Sequence, residues 1–157
     1  MHFYIMFNTK IKMTMSRFIL AILVVFISEV NLKAQTEEKQ KQASLTVKIE
    51  GNISSTGKLQ LELYNSESQW LEKEVKTLHI DLATDNNRTF VIEDLPAGTY
   101  AIAVIHDKNN NGELDMGMMG PTEKYGFSNN AKNMFGPASY SDASFQVADD
   151  TVINIKL

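Results

Sequence analysis

The chain has 157 residues, with 15 Lys or Arg against 19 Asp or Glu and a formal charge of −4. An acidic balance of this kind argues against nucleic acid and anionic membrane surfaces as partners, since both would repel it. There is no cysteine, which excludes a disulfide framework and also the thiol on which a bacterial lipoprotein anchor is built.

Residues 1–34 read as a cleavable signal peptide. Lys10, Lys12 and Arg17 precede the apolar run Phe18 to Ile27 (FILAILVVFI), which is about half the length a bilayer-spanning helix needs. The alternative is an uncleaved anchor, but the run is short and its flanks are wrong for one. Ala34 puts a small residue at the expected cut before Gln35, although Leu32 is bulkier than is usual at its position. Translation from Met13 or Met15 instead of Met1 would give a more usual signal length. The expected location is therefore secreted or periplasmic, at the bacterial cell envelope, without stable membrane insertion after cleavage. The leader takes four basic residues and one acid with it, leaving 123 residues with a formal charge of −7. That is one domain of ordinary size, able to bury a real core.

Gln35 to Ala43 (QTEEKQKQA) is polar and unpatterned and reads as a flexible lead-in to a domain over 44–157. Apolar residues then recur with period two. Leu45, Val47 and Ile49 mark one half-buried strand; after a turn at Ser54 to Gly57, Leu59, Leu61 and Leu63 mark a second. The lone Trp70 lies in a polar segment and is expected to cap the core. Leu78, Ile80 and Leu82 mark a third strand, and Phe90 and Ile92 a fourth. Leu95-Pro96-Ala97-Gly98 is a turn whose proline presets φ and whose glycine is permissive. It launches a fifth strand with Tyr100, Ile102 and Val104 on one face and Ala101, Ala103 and Ile105 on the other, the pattern of a central strand buried on both sides. Phe145 and Val147, then Val152 to Leu157, complete the set. About seven short strands with turns between them predict an all-β, antiparallel, seven-stranded sandwich of immunoglobulin-like or prealbumin-like type.

The fifth strand delivers Asp107 into DKNNNGELD, Asp107 to Asp115. Calcium takes oxygen ligands, and a loop with side chains at positions 1, 3, 5 and 9 and a backbone carbonyl at 7 can wrap one ion. Those positions are Asp107, Asn109, Asn111, Asp115 and Glu113. Gly112 falls at position 6, where the chain must turn sharply and a Cβ would obstruct it. Position 12 is Met118 and not the bidentate Glu of a complete EF-hand; Glu123 is the candidate for the missing ligand, with a merely solvated glutamate as the alternative. Asn, Asp and Gly also build ordinary turns through side-chain to backbone hydrogen bonds, so the spacing by itself leaves both readings open.

Residues 116–143 show little period but many turn formers and aromatics. A loop so long is uncommon in a compact domain unless it is functional, ion-organised or disordered. Tyr125, Phe127, Phe135 and Tyr140 argue for an ordered loop, and they are the candidate ligand-binding residues. The blocks LPAGTYAIAVIHDKNNNGELD, GPTEKYGFSNN and FGPASYSDASF, with the closing hydrophobic strand, together resemble the secreted bacterial proteins grouped as domain of unknown function 2141. The resemblance covers about Leu45 to Leu157 and implies a small exported β-sandwich. It names no substrate and no catalytic residue. It departs at Pro137-Ala138, where members commonly carry a proline pair.

Sequence features argue against an enzyme. GxSxG, HExxH and a phosphate-binding glycine loop are all missing. His106 adjoins Asp107, but neighbouring strand residues point to opposite faces and make a poor catalytic pair. Asp107 and Asp115 could suggest a hydrolase acting on glycosides, yet carboxylates gathered on one ion are not free to serve as acid and nucleophile. The remaining expectation is a calcium-stabilised binding or adhesion module for an envelope glycan, peptide or protein, with a purely structural or accessory domain as the alternative.

Overall fold

The computed structural model describes residues 41–157, so the signal-peptide expectation and most of the lead-in lie outside the described residues. Lys41–Leu157 is one compact unit, and it is all-β apart from short helical turns. Among the described residues, no helix is long and apolar enough to cross a membrane.

Strand β1 (Gln42–Glu50) begins two residues inside the predicted lead-in. It lies between β4 (Thr89–Pro96) and β10 (Thr151–Lys156) in a three-stranded sheet. A second sheet runs β3 (Lys76–Asp81), β2 (Lys58–Tyr64), β5 (Gly98–Asp107), β8 (Lys124–Phe127), and β9 (Phe145–Val147) pairs with the first residues of β5. All seven predicted strands are present. Two expectations need correction. The β1–β10 pair is parallel, with Leu45 opposite Thr151 and Ile49 opposite Ile155, so the fold is not purely antiparallel. Such a pair needs a long crossover, which the second sheet supplies. The long loop also holds regular structure: a hairpin of β6 (Met116–Gly117) and β7 (Gly120–Pro121), the strand β8, and the helix α1 (Tyr140–Ala143).

The period-two pattern explains the packing. Leu45 and Val47 of β1, Leu59, Leu61 and Leu63 of β2, Phe90 and Ile92 of β4, and Ile155 of β10 join one buried cluster drawn from both sheets. Tyr100, Ile102 and Val104 enter the same cluster, while Ala101 and Ala103 face a second one with Tyr64, Phe127, Ala138 and Ala143. Strand β5 is thus buried on both faces, as its sequence predicts. The Tyr100 hydroxyl donates to the Pro96 carbonyl at 2.8 Å, tying the start of β5 to the turn that launches it. At its other end β5 stops at Asp107, and the candidate loop begins.

Candidate functional site

Asp107 is fully buried. Its Oδ2 accepts the Gly112 N–H at 2.8 Å and its Oδ1 the Asn111 N–H at 3.2 Å. The Lys58 ammonium lies 3.4 Å from Oδ2. Burial alone would raise the pKa of this carboxyl, but the Gly112 N–H, the Lys58 ammonium and the Asn111 N–H outweigh it and hold the group below its ordinary value. Each following odd position repeats the device: Asn109 Oδ1 accepts the Asn111 N–H at 3.0 Å, and Asn111 Oδ1 accepts the Glu113 N–H at 2.9 Å. Asn110 and Gly112 take positive φ, 62° and 84°, which curls the chain so that positions 1, 3 and 5 turn to a common interior. Asp115 closes the ring, its carboxylate oxygens accepting Asn109 Nδ2 at 2.7 Å and Asn111 Nδ2 at 2.9 Å.

The structure therefore brings Asp107, Asn109, Asn111 and Asp115 into one hydrogen-bonded group. The Glu113 side chain is exposed. Among the described residues, no three His, Cys, Asp or Glu side chains gather as a metal-binding group; two of the four side chains in this hydrogen-bonded group are amides. Two details differ from the sequence reading. Nothing lies within 4 Å of where a Gly112 Cβ would stand, so glycine is needed there for its φ and not for space. Glu123 is buried, and its two oxygens accept the N–H groups of Lys108 at 2.7 Å and Asp115 at 3.2 Å. It fastens the two ends of the loop together instead of pointing at its centre.

Three residues that spacing does not reveal complete the support. Gly57, at φ 76°, brings its turn so close that an added Cβ would lie 2.2 Å from the Asp107 carbonyl oxygen. Lys58 supplies the cation beside Asp107, and Gln60 donates to the Gly112 carbonyl at 3.3 Å. All three sit on or just before β2, which pairs with the end of β5 and places Lys58 opposite Asp107. They lie about fifty residues from the loop, too far for any local pattern to link them. His106 is buried, with Nε2 donating to the Thr56 carbonyl at 2.9 Å and Nδ1 left without a partner among the described residues.

Beyond the loop, a groove of about 770 Å³ runs over the β5–β8 face between the 112–121 and 133–137 segments. The four candidate aromatics divide. Phe127 is buried and Tyr140 half-buried, packed about Trp70 at centroid distances of 5.6 and 5.9 Å. Trp70 caps this cluster as expected, and its Nε1 also donates to the Ala138 carbonyl at 2.9 Å. Phe127 and Tyr140 are thus anchors of the long segment first. Tyr125 and Phe135 remain 38% and 83% exposed and line the groove.

The pattern of a protein family described as an uncharacterised protein conserved in bacteria, domain of unknown function 2141, matches residues 47–155. The chain belongs to this family. The matched span opens within β1 and closes within β10, so membership embraces both sheets, the candidate loop and the groove. No curated protein and no solved structure matches the chain.

Proposed function

We propose that this member of the family is an exported, calcium-stabilised β-sandwich, prealbumin-like in its pairing of two packed sheets, that acts in binding or adhesion at the bacterial cell envelope. The observation that carries the binding role is the groove, because large apolar side chains, Phe135 foremost, stand exposed along it. The ligand class is a glycan, a peptide or an envelope protein. Nucleic acid is not proposed, given the acidic balance, and no catalytic role is proposed.

Support for calcium comes from the loop: oxygens at positions 1, 3 and 5 are pre-oriented by backbone N–H groups and each keeps a free lone pair. Asp107, Asn109, Asn111 and Asp115 would hold the ion through side chains and Glu113 through its carbonyl, with Glu123 clamping the loop from outside. The Asp115 carboxylate would then exchange its two amide donors for the cation. With two amides among the ligands and Lys58 beside Asp107, affinity should fall between roughly micromolar and millimolar, which suits an extracellular site.

Arrays of glycans and peptides probed with the purified protein and with Phe135→Ser test the binding role. Hits that the variant loses while keeping its melting temperature support it. A protein that binds nothing, or whose hits ignore Phe135, is the structural or accessory domain instead, a reading favoured by the burial of Phe127 and Tyr140.

A further inference from the structure

Every methionine among the described residues, Met116, Met118, Met119 and Met134, is exposed, while the buried clusters are built from Leu, Ile, Val, Ala and aromatics. An unbranched thioether is ordinarily used to fill gaps in a core; none is so used here. Met116 ends up opposite Pro121 across the β6–β7 hairpin, with Met118 and Met119 forming its two-residue turn. Met116, Met119 and Met134 all line the one groove, although Met134 arrives from a separate segment.

The charge of that groove is one-sided. Glu62 and Glu113 line it, and no Lys, Arg or His does. Thioether sulfur is a soft donor that favours copper(I) over the hard cations, which take oxygen. Three such sulfurs on flexible stems, beside two carboxylates and without a competing cation, make a site for a soft monovalent ion. We propose that Met116, Met119 and Met134 bind copper(I) at the mouth of the groove. Tyr125 and Phe135 also line it, and aromatic rings attract a cation. The site goes beyond the binding role proposed above and binds through sulfur, where the neighbouring loop, which shares Glu113 with the groove, offers oxygen.

Leucine separates this proposal from simple apolar contact, since it keeps the hydrophobic surface and removes only the sulfur. The purified protein, under a reductant, is titrated against copper(I) bicinchoninate, with silver(I) as a redox-inert probe of the methionine methyl resonances. The site predicts withdrawal of one copper(I) per chain and silver-induced shifts at Met116, Met119 and Met134. Each single Met→Leu change should weaken binding at least about tenfold, because even outer-shell partners of a metal carry that much. The triple variant should lose the ion, yet keep the wild-type melting temperature. Failure of the wild type to compete with the chelator overturns the proposal, as does a triple variant that binds like the wild type. Either result leaves the array test of the binding role untouched.

Discussion

A methyl group added at Gly57 would meet the Asp107 carbonyl oxygen at 2.2 Å and Lys108 Cα at 2.6 Å, both backbone atoms that cannot swing aside. Gly57 also holds φ 76°, which an L side chain adopts with strain of order 1–3 kcal/mol. Gly57→Ala should therefore lower unfolding free energy by about 2 kcal/mol or more in urea titration and displace the start of the loop. Gly112→Ala, with open space around it but φ 84°, should cost less, about 1 kcal/mol from backbone strain alone. Acid sensitivity should arise partly at Asp150, whose carboxylate accepts the Ser44 N–H at 2.8 Å and is held by that bond below its ordinary pKa. A depressed folded-state pKa stabilises above the unfolded value and stops doing so as pH falls through the folded one. Asp150→Asn should thus lower the melting temperature at neutrality and flatten its fall below about pH 4, where the wild type loses the same contribution. At this scale the sequence was a partial guide. Asp107, Asn109, Asn111 and Asp115 were legible because their partners lie within the same nine residues, whereas Gly57, Lys58 and Gln60 act across a strand pairing that no local pattern encodes.

Among the elements, β5 carries the most. It bonds to β2, β8 and β9 and is buried on both faces, so Val104→Asp would bury an unpaired charge at a site 1% exposed. That should cost several kcal/mol, enough to unfold a domain of marginal stability, and circular dichroism would register the loss. Glu123→Gln tests the clamp: an amide nitrogen cannot accept, so one of the two loop N–H groups is left unpaired. The expected loss is about 1–3 kcal/mol, with faster hydrogen exchange at Lys108 or Asp115. The seven strands read from alternation were found because each buries one face, or both in the case of β5, and so imprints a period. Strand β8 was missed since KYGF is too short to show one, and Gly126 within it answers to another constraint: a Cβ there would lie 2.8 Å from the Lys156 carbonyl oxygen. The parallel β1–β10 pairing was illegible for a different reason, since apolar alternation is the same whichever way a strand runs.

For the molecule as a whole, the proposed calcium would organise the loop at the end of the central strand, in a core that holds no disulfide. Asp107, Glu113 and Asp115 bring three acids within nine residues; a divalent cation turns their mutual repulsion into attraction. Because the unfolded chain has no such site, calcium at about 100 times Kd should add about 2.7 kcal/mol of stability. For a domain of this size that is several degrees of melting temperature. The direct measurement is thermal unfolding of the purified protein in excess calcium and in excess chelator, with Asp107→Ala alongside. The account predicts a wild-type midpoint several degrees higher in calcium and no such difference in the variant; superimposed wild-type curves would contradict it and make the loop an ordinary Asn-rich turn.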